Sequence, residues 1–497
     1  MSVAVTKAGP GPETPISQAR VVVVLSYGTE SFGPKAAALD LQTGGAISRA
    51  VEAARFTGAE GACLDVLAPQ GLGCARVVVL GMGAEARTSL GATRSGAALA
   101  RHLEAAAEPS AMLIFDTAKG EDGAETLARL LLGVRLRNYR FALMPASEKP
   151  FALALEVISD VEASSARVDA VAEGVALARD LVNYPASHLN PDNFPDFLEP
   201  LRRAGIEIEV LDADDLSRLG MNAVLAVGAG SARQPKVIVM RYRGEDSPAA
   251  PLALVGKGMC FDAGGLCIKS GPQMFGMKAD MGGAAAVIGT MLALARQKRA
   301  EHVVGVIGVA ENMLSGASYK PGDIVTTLSG KTVEVYDTDC EGRMVLADIL
   351  YFAASRYQPR AIVDLATLTY SVMRGLGHVF AGLFATHDDL AAGLLAAGEK
   401  VGERFWRMPL DPAYDAGLYS PVADLRQHAR DLEDGDAPHA AAFLRNFTEG
   451  RPWVHLDIAG KELIDEDRPM ARSGGSGFGV QLLEEWITSQ ADELKRL

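Results

Sequence analysis

Cysteine is scarce in this 497-residue sequence. Cys63, Cys74, Cys260, Cys267 and Cys340 are odd in number and form no CxxC pair, which argues against both a disulfide framework and a cysteine-built zinc site. Free thiols scattered through a long chain point to a reducing, cytoplasmic compartment. No stretch reaches the roughly 18 uninterrupted apolar residues of a membrane span, and the N-terminal MSVAVTKAGPGPETPISQ lacks the apolar segment of a secretory signal. Basic charge is in deficit: 48 basic against 62 acidic residues leave a net charge of −14, which argues against a nucleic-acid backbone as the main partner. The histidines, His102, His188, His302, His378, His387, His428, His439 and His455, form no HExxH or HxH pair, and no GxSxG elbow occurs. The GKG at 256–258 lacks the Ser or Thr of a phosphate loop, and GLGCAR and GAGSAR are only weak glycine turns.

What is present is a double alternation of strand-like and helical patterns. From Arg20 the runs RVVVVLSYG, CLDVLA, ARVVVLGMG and AMLIFDT alternate with an alanine-rich helix over 91–107 and a leucine-rich one over 125–135. They predict a smaller N-terminal α/β domain over residues 1–170. A helical stretch then meets VNYPASHLNPDNFP, whose prolines and asparagines break periodicity, so 171–190 is expected to be a connecting helix and junction. Strand-like runs resume at IEIEVLD, KVIVMRY, PLALVG, EHVVGVIGV and RAIVDLA. Residues 191–497 are therefore expected to form a larger α/β domain with a mostly parallel central sheet and function at the carboxyl ends of its strands. Ala284, Val287, Ile288, Met291, Leu292 and Ala295 share helical spacing, as do Leu346, Ile349, Leu350 and Ala353, and each helix is expected to bury one stripe. Between them, DIVTTLSGKTVEVYDTD predicts a hairpin turning at Ser329 and Gly330. There is no internal repeat, and the N-terminal Pro/Gly arm is the only low-complexity segment.

Chemistry concentrates in two places. In DTDCEGRMVLAD the acids Asp337, Asp339 and Glu341 stand at every second position, followed by Arg343. In an extended segment residues two apart share a face, so these acids converge and call for a cation. The second group is LVGKGMCFDAGGLCIKSGPQMFGMKADMGGAAAV, with Lys257, Asp262, Lys269 and Asp280 at strand or helix ends. Asp262, Asp280, Asp339 and Glu341 make four carboxylates, a number that fits two divalent metals. Met274, Met277 and Met281 read as pocket lining or core.

These blocks resemble the signature of the leucyl aminopeptidase family, the cytosolic M17 metallopeptidases, whose usual central motif reads NTDAEGR. The likeness extends back through ARDLVNYPASHLNPDNF and LAVGAGSARQPKVIVMRY and forward through DLATLT, GLFATHDDLAAGLLAAGE, WRMPL and VHLDIAG. The resemblance implies a binuclear-metal aminopeptidase with a variable, macro-like N-terminal domain. It places metal ligands on Lys257, Asp262, Asp280, Asp339 and Glu341, with Asp262 and Glu341 bridging two Mn2+ or Zn2+ ions. Lys257 and Asp280 then complete one shell and Asp339 the other. It makes Lys269 and Arg343 catalytic, Arg343 holding a bicarbonate that takes a proton from the attacking water. It further implies peptide substrates with a free N-terminus, a homohexamer, and a first-residue pocket of Met277, Thr367, Tyr370, Ala459 and Glu462. Asp337, Cys340 and Ser270 depart from the family's usual asparagine, alanine and proline. Tyr370 replaces glycine, and Lys461 and Glu462 replace small or apolar residues, so leucine is expected to be accepted without clear preference. The rival expectation is a catalytically weak relative serving as a structural or DNA-associated scaffold, against which the retained ligands and the net acidity both stand.

Overall fold

The computed structural model of the chain describes residues 3–7, 19–28, 32–83, 89–117, 122–143, 151–162, 165–245, 247, 250–429 and 435–489. Most of the Pro/Gly arm lies outside them. The chain forms two compact units, residues 1–172 with 466–472, and 173–465 with 473–497. The helix Ser165–Asn183 runs across the division.

The first unit holds a six-stranded sheet of β1 (Val3–Lys7), β2 (Val21–Ser26), β3 (Cys63–Leu67), β4 (Arg76–Gly81), β5 (Ser110–Ile114) and β6 (Ala154–Ser159), in the order β1-β6-β5-β2-β4-β3. Every neighbouring pair is parallel except β3 and β4. Val21 to Leu25 are all buried, which a strand can sustain only when both sheet faces are covered. The predicted helices are present as Ser89–Ala105 and Gly123–Asn138, packed on one another.

The second unit contains β7 (Glu207–Leu211), β8 (Lys236–Arg243), β9 (Leu252–Asp262), β10 (His302–Asn312), β11 (Ile324–Thr326), β12 (Thr332–Glu334), β13 (Ala361–Ala366), β14 (Ala381–Ala385), β15 (Phe405–Arg407), β16 (Leu425–Arg426), β17 (Trp453–Asp457), β18 (Leu463–Ile464) and β19 (Gly474–Gly475). Eight of them form the main sheet in the order β15-β14-β17-β13-β9-β10-β8-β7. Its four middle strands, β17, β13, β9 and β10, are mutually parallel, so their carboxyl ends open on one edge. The flanks turn antiparallel at β14/β17 and β8/β10. Two α/β units with a mostly parallel core to the larger sheet are what the alternating pattern predicts. The predicted hairpin is also present: β11 pairs antiparallel with β12, and Gly330 takes the left-handed conformation (φ 83°) at its turn.

Two helices differ from expectation. Gly282–Arg296 is buried through residue 295 on every side, and Glu341–Tyr357 is buried continuously from Glu341 to Leu350. The single-stripe reading fails because the first helix packs on β9 and β13 and is covered by the helix Val480–Ser489, leaving no solvent face. Close packing explains its opening glycines: a Cβ on Gly283 would lie 2.0 Å from the Leu365 carbonyl oxygen.

Candidate active site

Lys257 and Asp262 sit on the carboxyl half of β9, where the apolar run Leu252–Val255 gives way to polar residues. The AGG turn that follows reverses the chain. Gly264 and Gly265 both have positive φ (85° and 61°), and a Cβ on Gly265 would come 2.8 Å from Asn312 Oδ1, so glycine is required twice over. This turn returns Lys269 toward Asp262. Asp280 lies between the short 3-10 helix Met277–Ala279 and the buried helix Gly282–Arg296. Asp339 precedes, and Glu341 opens, the helix Glu341–Tyr357. Both acids thus stand where the helix dipole favours negative charge.

The structure brings all these groups to one cleft of about 190 Å³. One oxygen from each of Asp262, Asp280 and Glu341 lies within 4.8 Å of the others, and all three residues are buried. Lys257 Nζ is 2.9 Å from Asp280 Oδ1 and 2.8 Å from Glu341 Oε1, and it donates to the Thr367 carbonyl at 3.0 Å. Lys269 Nζ is 2.5 Å from Asp262 Oδ2 and also pairs with Asp339 Oδ1. Asp339 therefore joins the cluster through Lys269.

The acids carry the strain of this crowding. Burial, followed by Asp262 and Glu341, pushes Asp339 up to about 7. Burial raises Asp280 well above the carboxylate range, with Glu341 and Asp262 adding to it, and burial with Asp262 raises Glu341. Burial disfavours both ammonium groups, yet the carboxylates outweigh it: Asp280, Glu341 and Asp262 hold Lys257 protonated, and Asp262, Glu341 and Asp339 do the same for Lys269. Asp280 Oδ2 and Glu341 Oε2 are nevertheless buried with no hydrogen-bond partner. Buried carboxylate oxygens without partners are costly unless a cation completes them. A hard divalent ion among oxygen donors answers both the repulsion and the orphaned oxygens, so the residues fit a metal.

Arg343 is fully buried on the same cleft. Its Nη1 donates to the Gln427 carbonyl at 3.1 Å and its Nη2 to Asp436 Oδ1 at 2.6 Å. Asp337 is taken up locally, since its Oδ1 accepts the Asp339 backbone N–H at 2.8 Å. Cys340 lines the cleft as a thiol whose ionisation burial pushes up. Ser270 caps the short helix Gly271–Phe275 through a reciprocal contact with Gln273. The five first-residue positions, Met277, Thr367, Tyr370, Ala459 and Glu462, all line the cleft. Tyr370 is half-exposed there. Glu462 Oε2 is buried without a partner, and burial raises its carboxyl to about 7. Lys461 turns away to donate to the Gly377 carbonyl at 2.8 Å.

Several contacts have no signal in the motifs, including one made by Thr367, which the resemblance places only in the first-residue pocket. Asn312 Nδ2 donates to Asp262 Oδ1 at 2.9 Å and to the Thr338 carbonyl at 2.9 Å, and it reaches the site through a register shift between β9 and β10 at Ala310/Glu311. Thr367 Oγ1 donates to Asp280 Oδ1 at 2.7 Å. Gln427, His428 and Asp436 surround Arg343. The one hint for Asn312 is a polar residue ending the apolar run HVVGVIGVAEN.

A cluster of buried acids and two lysines at the carboxyl edge of a parallel sheet defines a metal-dependent hydrolase on an α/β scaffold. Comparison with known proteins narrows this class. Residues 176–484 match the catalytic domain of the cytosol aminopeptidase family, and residues 23–144 match its N-terminal domain. The chain is 42% identical over 485 residues to a probable cytosol aminopeptidase of Bradyrhizobium sp., covering 95% of this chain and 96% of that one. It is 44% identical over 481 residues to one of Methylorubrum populi, covering 94% and 95%. Among solved structures it is similar to a mutant tomato leucine aminopeptidase (TM-score 0.84, 30% identity, 98% and 96% covered). It is also similar to the bottromycin maturation enzyme BotP in complex with Mn (TM-score 0.82, 34% identity, 95% and 100% covered). The chain belongs to the cytosol aminopeptidase family and is a metallo-aminopeptidase. No helix among the described residues is long and apolar enough to cross a membrane.

Proposed function

We propose that the protein removes the N-terminal residue of peptides at a two-metal site formed by Lys257, Asp262, Asp280, Asp339 and Glu341. The observation that carries this reading is the pair of orphaned buried oxygens, Asp280 Oδ2 and Glu341 Oε2, inside a cluster of acids whose paired cations are two lysines. Divalent ions bound there lower the pKa of water to near neutrality and polarise the scissile carbonyl, and the Mn complex of BotP supports manganese as one of them. Asp262, Asp280 and Glu341 would hold the ions together with Lys257, and Asp339 would join them beside Lys269. Lys257 would ligate an ion only as a neutral amine.

The remaining steps belong to side chains. Lys269, held beside Asp262 and Asp339, would be the ammonium that faces the developing oxyanion. Thr367 holds Asp280 in orientation, and Asn312 does so for Asp262. The first side chain of the substrate lies against Met277, Thr367, Tyr370, Ala459 and Glu462, where the tyrosine shortens the pocket and the glutamate favours polar or basic groups. A bicarbonate on Arg343 would compete with Asp436: two of the guanidinium nitrogens already meet the Gln427 carbonyl and Asp436 Oδ1, Nε alone is without a partner, and an added anion would face the Asp436 carboxylate.

This reading carries with it a catalytic domain over 191–497, an accessory domain over 1–170 joined by 171–190, a cytoplasmic location and a homohexamer. A structural or DNA-associated scaffold is not favoured, because such a role does not need an acid cluster with orphaned oxygens. The test is hydrolysis of aminoacyl anilides by protein loaded with manganese, zinc or cobalt, alongside metal analysis. Turnover with about two ions bound per chain is expected. Stoichiometric metal without turnover on any aminoacyl substrate would remove the enzyme reading.

A further inference from the structure

We propose that Asp436 is the internal proton acceptor of this active site, occupying the place on Arg343 where an external bicarbonate was expected. The inference rests on the aminopeptidase reading and deepens it. Asp436 opens the helix Asp436–Arg445, and the next residue is fixed by its backbone N–H donating to Ser371 Oγ at 2.9 Å. Its Oδ1 is doubly held, 2.6 Å from Arg343 Nη2 and 3.3 Å from His428 Nε2. Its Oδ2 has no hydrogen-bond partner among the described residues, and the side chain keeps 27% exposure on the cleft.

The other acids on this cleft are engaged elsewhere. Asp262, Asp280, Asp339 and Glu341 belong to the cation cluster, Asp337 is turned back on the Asp339 backbone, and Glu462 lies against the first-residue pocket. Among the described residues Asp436 is the one acid of the cleft that pairs with Arg343 and leaves an oxygen open. Burial works to raise its pKa, but Arg343, His428 and His439 hold it below the usual carboxylate range, so the group is ionised whenever the enzyme works. A carboxylate that an arginine fixes by one oxygen, with the other oxygen open, sets an anionic proton acceptor where an arginine-bound bicarbonate would stand.

The proton balance closes within the protein. As the water oxygen bonds to the scissile carbonyl carbon, its O–H bond breaks and the proton passes to Asp436 Oδ2. When the C–N bond breaks, the same proton goes to the departing amine nitrogen and Asp436 returns to a carboxylate. Nothing external is consumed.

The experiment uses manganese-loaded protein in buffer stripped of carbon dioxide, with a leucyl anilide substrate, with and without millimolar bicarbonate. The parent is expected to show the same kcat in both media. Asp436→Asn is expected to keep its metal content and its circular dichroism while kcat falls on the order of 100-fold, the usual weight of a general base. Asp436→Ala leaves room for an anion on Arg343, so added bicarbonate or formate should restore part of its kcat, which loss of structure could not explain. A several-fold rise of the parent kcat on adding bicarbonate would overturn the proposal, as would an Asp436→Asn variant with parental kcat in the stripped buffer. A parent without turnover in either medium would remove the aminopeptidase reading and this proposal with it.

Discussion

Asn312 and Thr367 orient two of the three clustered acids, and neither bears a charge. Each supplies one hydrogen bond to a carboxylate oxygen, which fixes the direction of the remaining lone pairs. Replacing Asn312 with alanine is expected to weaken metal binding or kcat about 10- to 100-fold while the fold persists, as loss of an outer partner does at other metal sites. Metal titration followed by turnover checks this, and parental values for both would show that Asp262 needs no such support. Most charged members of the site are legible in the sequence because lysines and acids beside glycine-rich turns stand out against apolar strands; Asp436, paired with Arg343 from 93 positions away, is not. Asn312 is not, since its contact with Asp262 spans 50 positions and depends on a register shift that no local pattern encodes. Specificity belongs to this scale as well. Tyr370 and Glu462 both line the cleft, so Tyr370→Gly should raise kcat/KM for leucine relative to alanine, and Glu462→Met should lower it for arginine relative to leucine. Unchanged ratios in both variants would exclude these side chains from the choice.

At the scale of elements, buried carboxylates tie helices to their neighbours. Asp348, inside the helix Glu341–Tyr357, accepts the N–H groups of Ala223 and Val224 at 2.9 and 3.1 Å and that of Leu328 at 2.8 Å. It thus caps the helix Asn222–Gly228 and holds the strand hairpin. Burial raises its carboxyl to about 7, more than the three backbone donors lower it. The folded chain therefore keeps a proton there that an unfolded chain releases near its ordinary value of about 3.9. Between those values the native state binds the extra proton, so this group makes stability fall as pH rises from about 4 to about 7, with no further change above. Glu403, which accepts from Gly479 and Leu482 and is raised by burial to about 7, acts in the same direction. Urea unfolding at about pH 5 and about pH 8 should show a smaller loss across that interval for Asp348→Asn than for the parent. An identical loss would show that Asp348 is ionised at both ends. The apolar runs forecast most of the sheet, whereas β14, β15 and β17 escape such a reading. β17 buries His455 and Asp457, and Asp364 on β13 accepts from Trp453 Nε1 and pairs with His455 Nδ1, both at 2.6 Å. That internal polar network breaks the hydrophobic pattern by which a buried strand is recognised.

The molecule as a whole carries a net charge of −14, and the acids Asp262, Asp280 and Glu341 are clustered in its interior. Without metal, Lys257 and Lys269 are the cations paired with that cluster, and Asp280 Oδ2 and Glu341 Oε2 stay unpartnered. Cations that bind the folded chain and not the unfolded one must therefore stabilise it, by about 2.7 kcal/mol when free metal exceeds its dissociation constant 100-fold. Oxygen donors without thiolate or imidazole favour manganese or cobalt as restoring ions. Chelation is expected to abolish turnover and lower Tm together, and manganese to restore both. Glu341→Gln separates the two roles of the cluster. It removes one buried charge and relieves repulsion from Asp262, so the metal-free variant should melt no lower than the metal-free parent. It also removes a ligand, so manganese should raise its Tm little and its kcat hardly at all. Calorimetry of parent and variant, each with chelator and with manganese, reads both effects. A variant whose Tm climbs with manganese as far as the parent's would show that Glu341 does not hold the metal, and full turnover in chelated parent would remove the metal from the chemistry altogether.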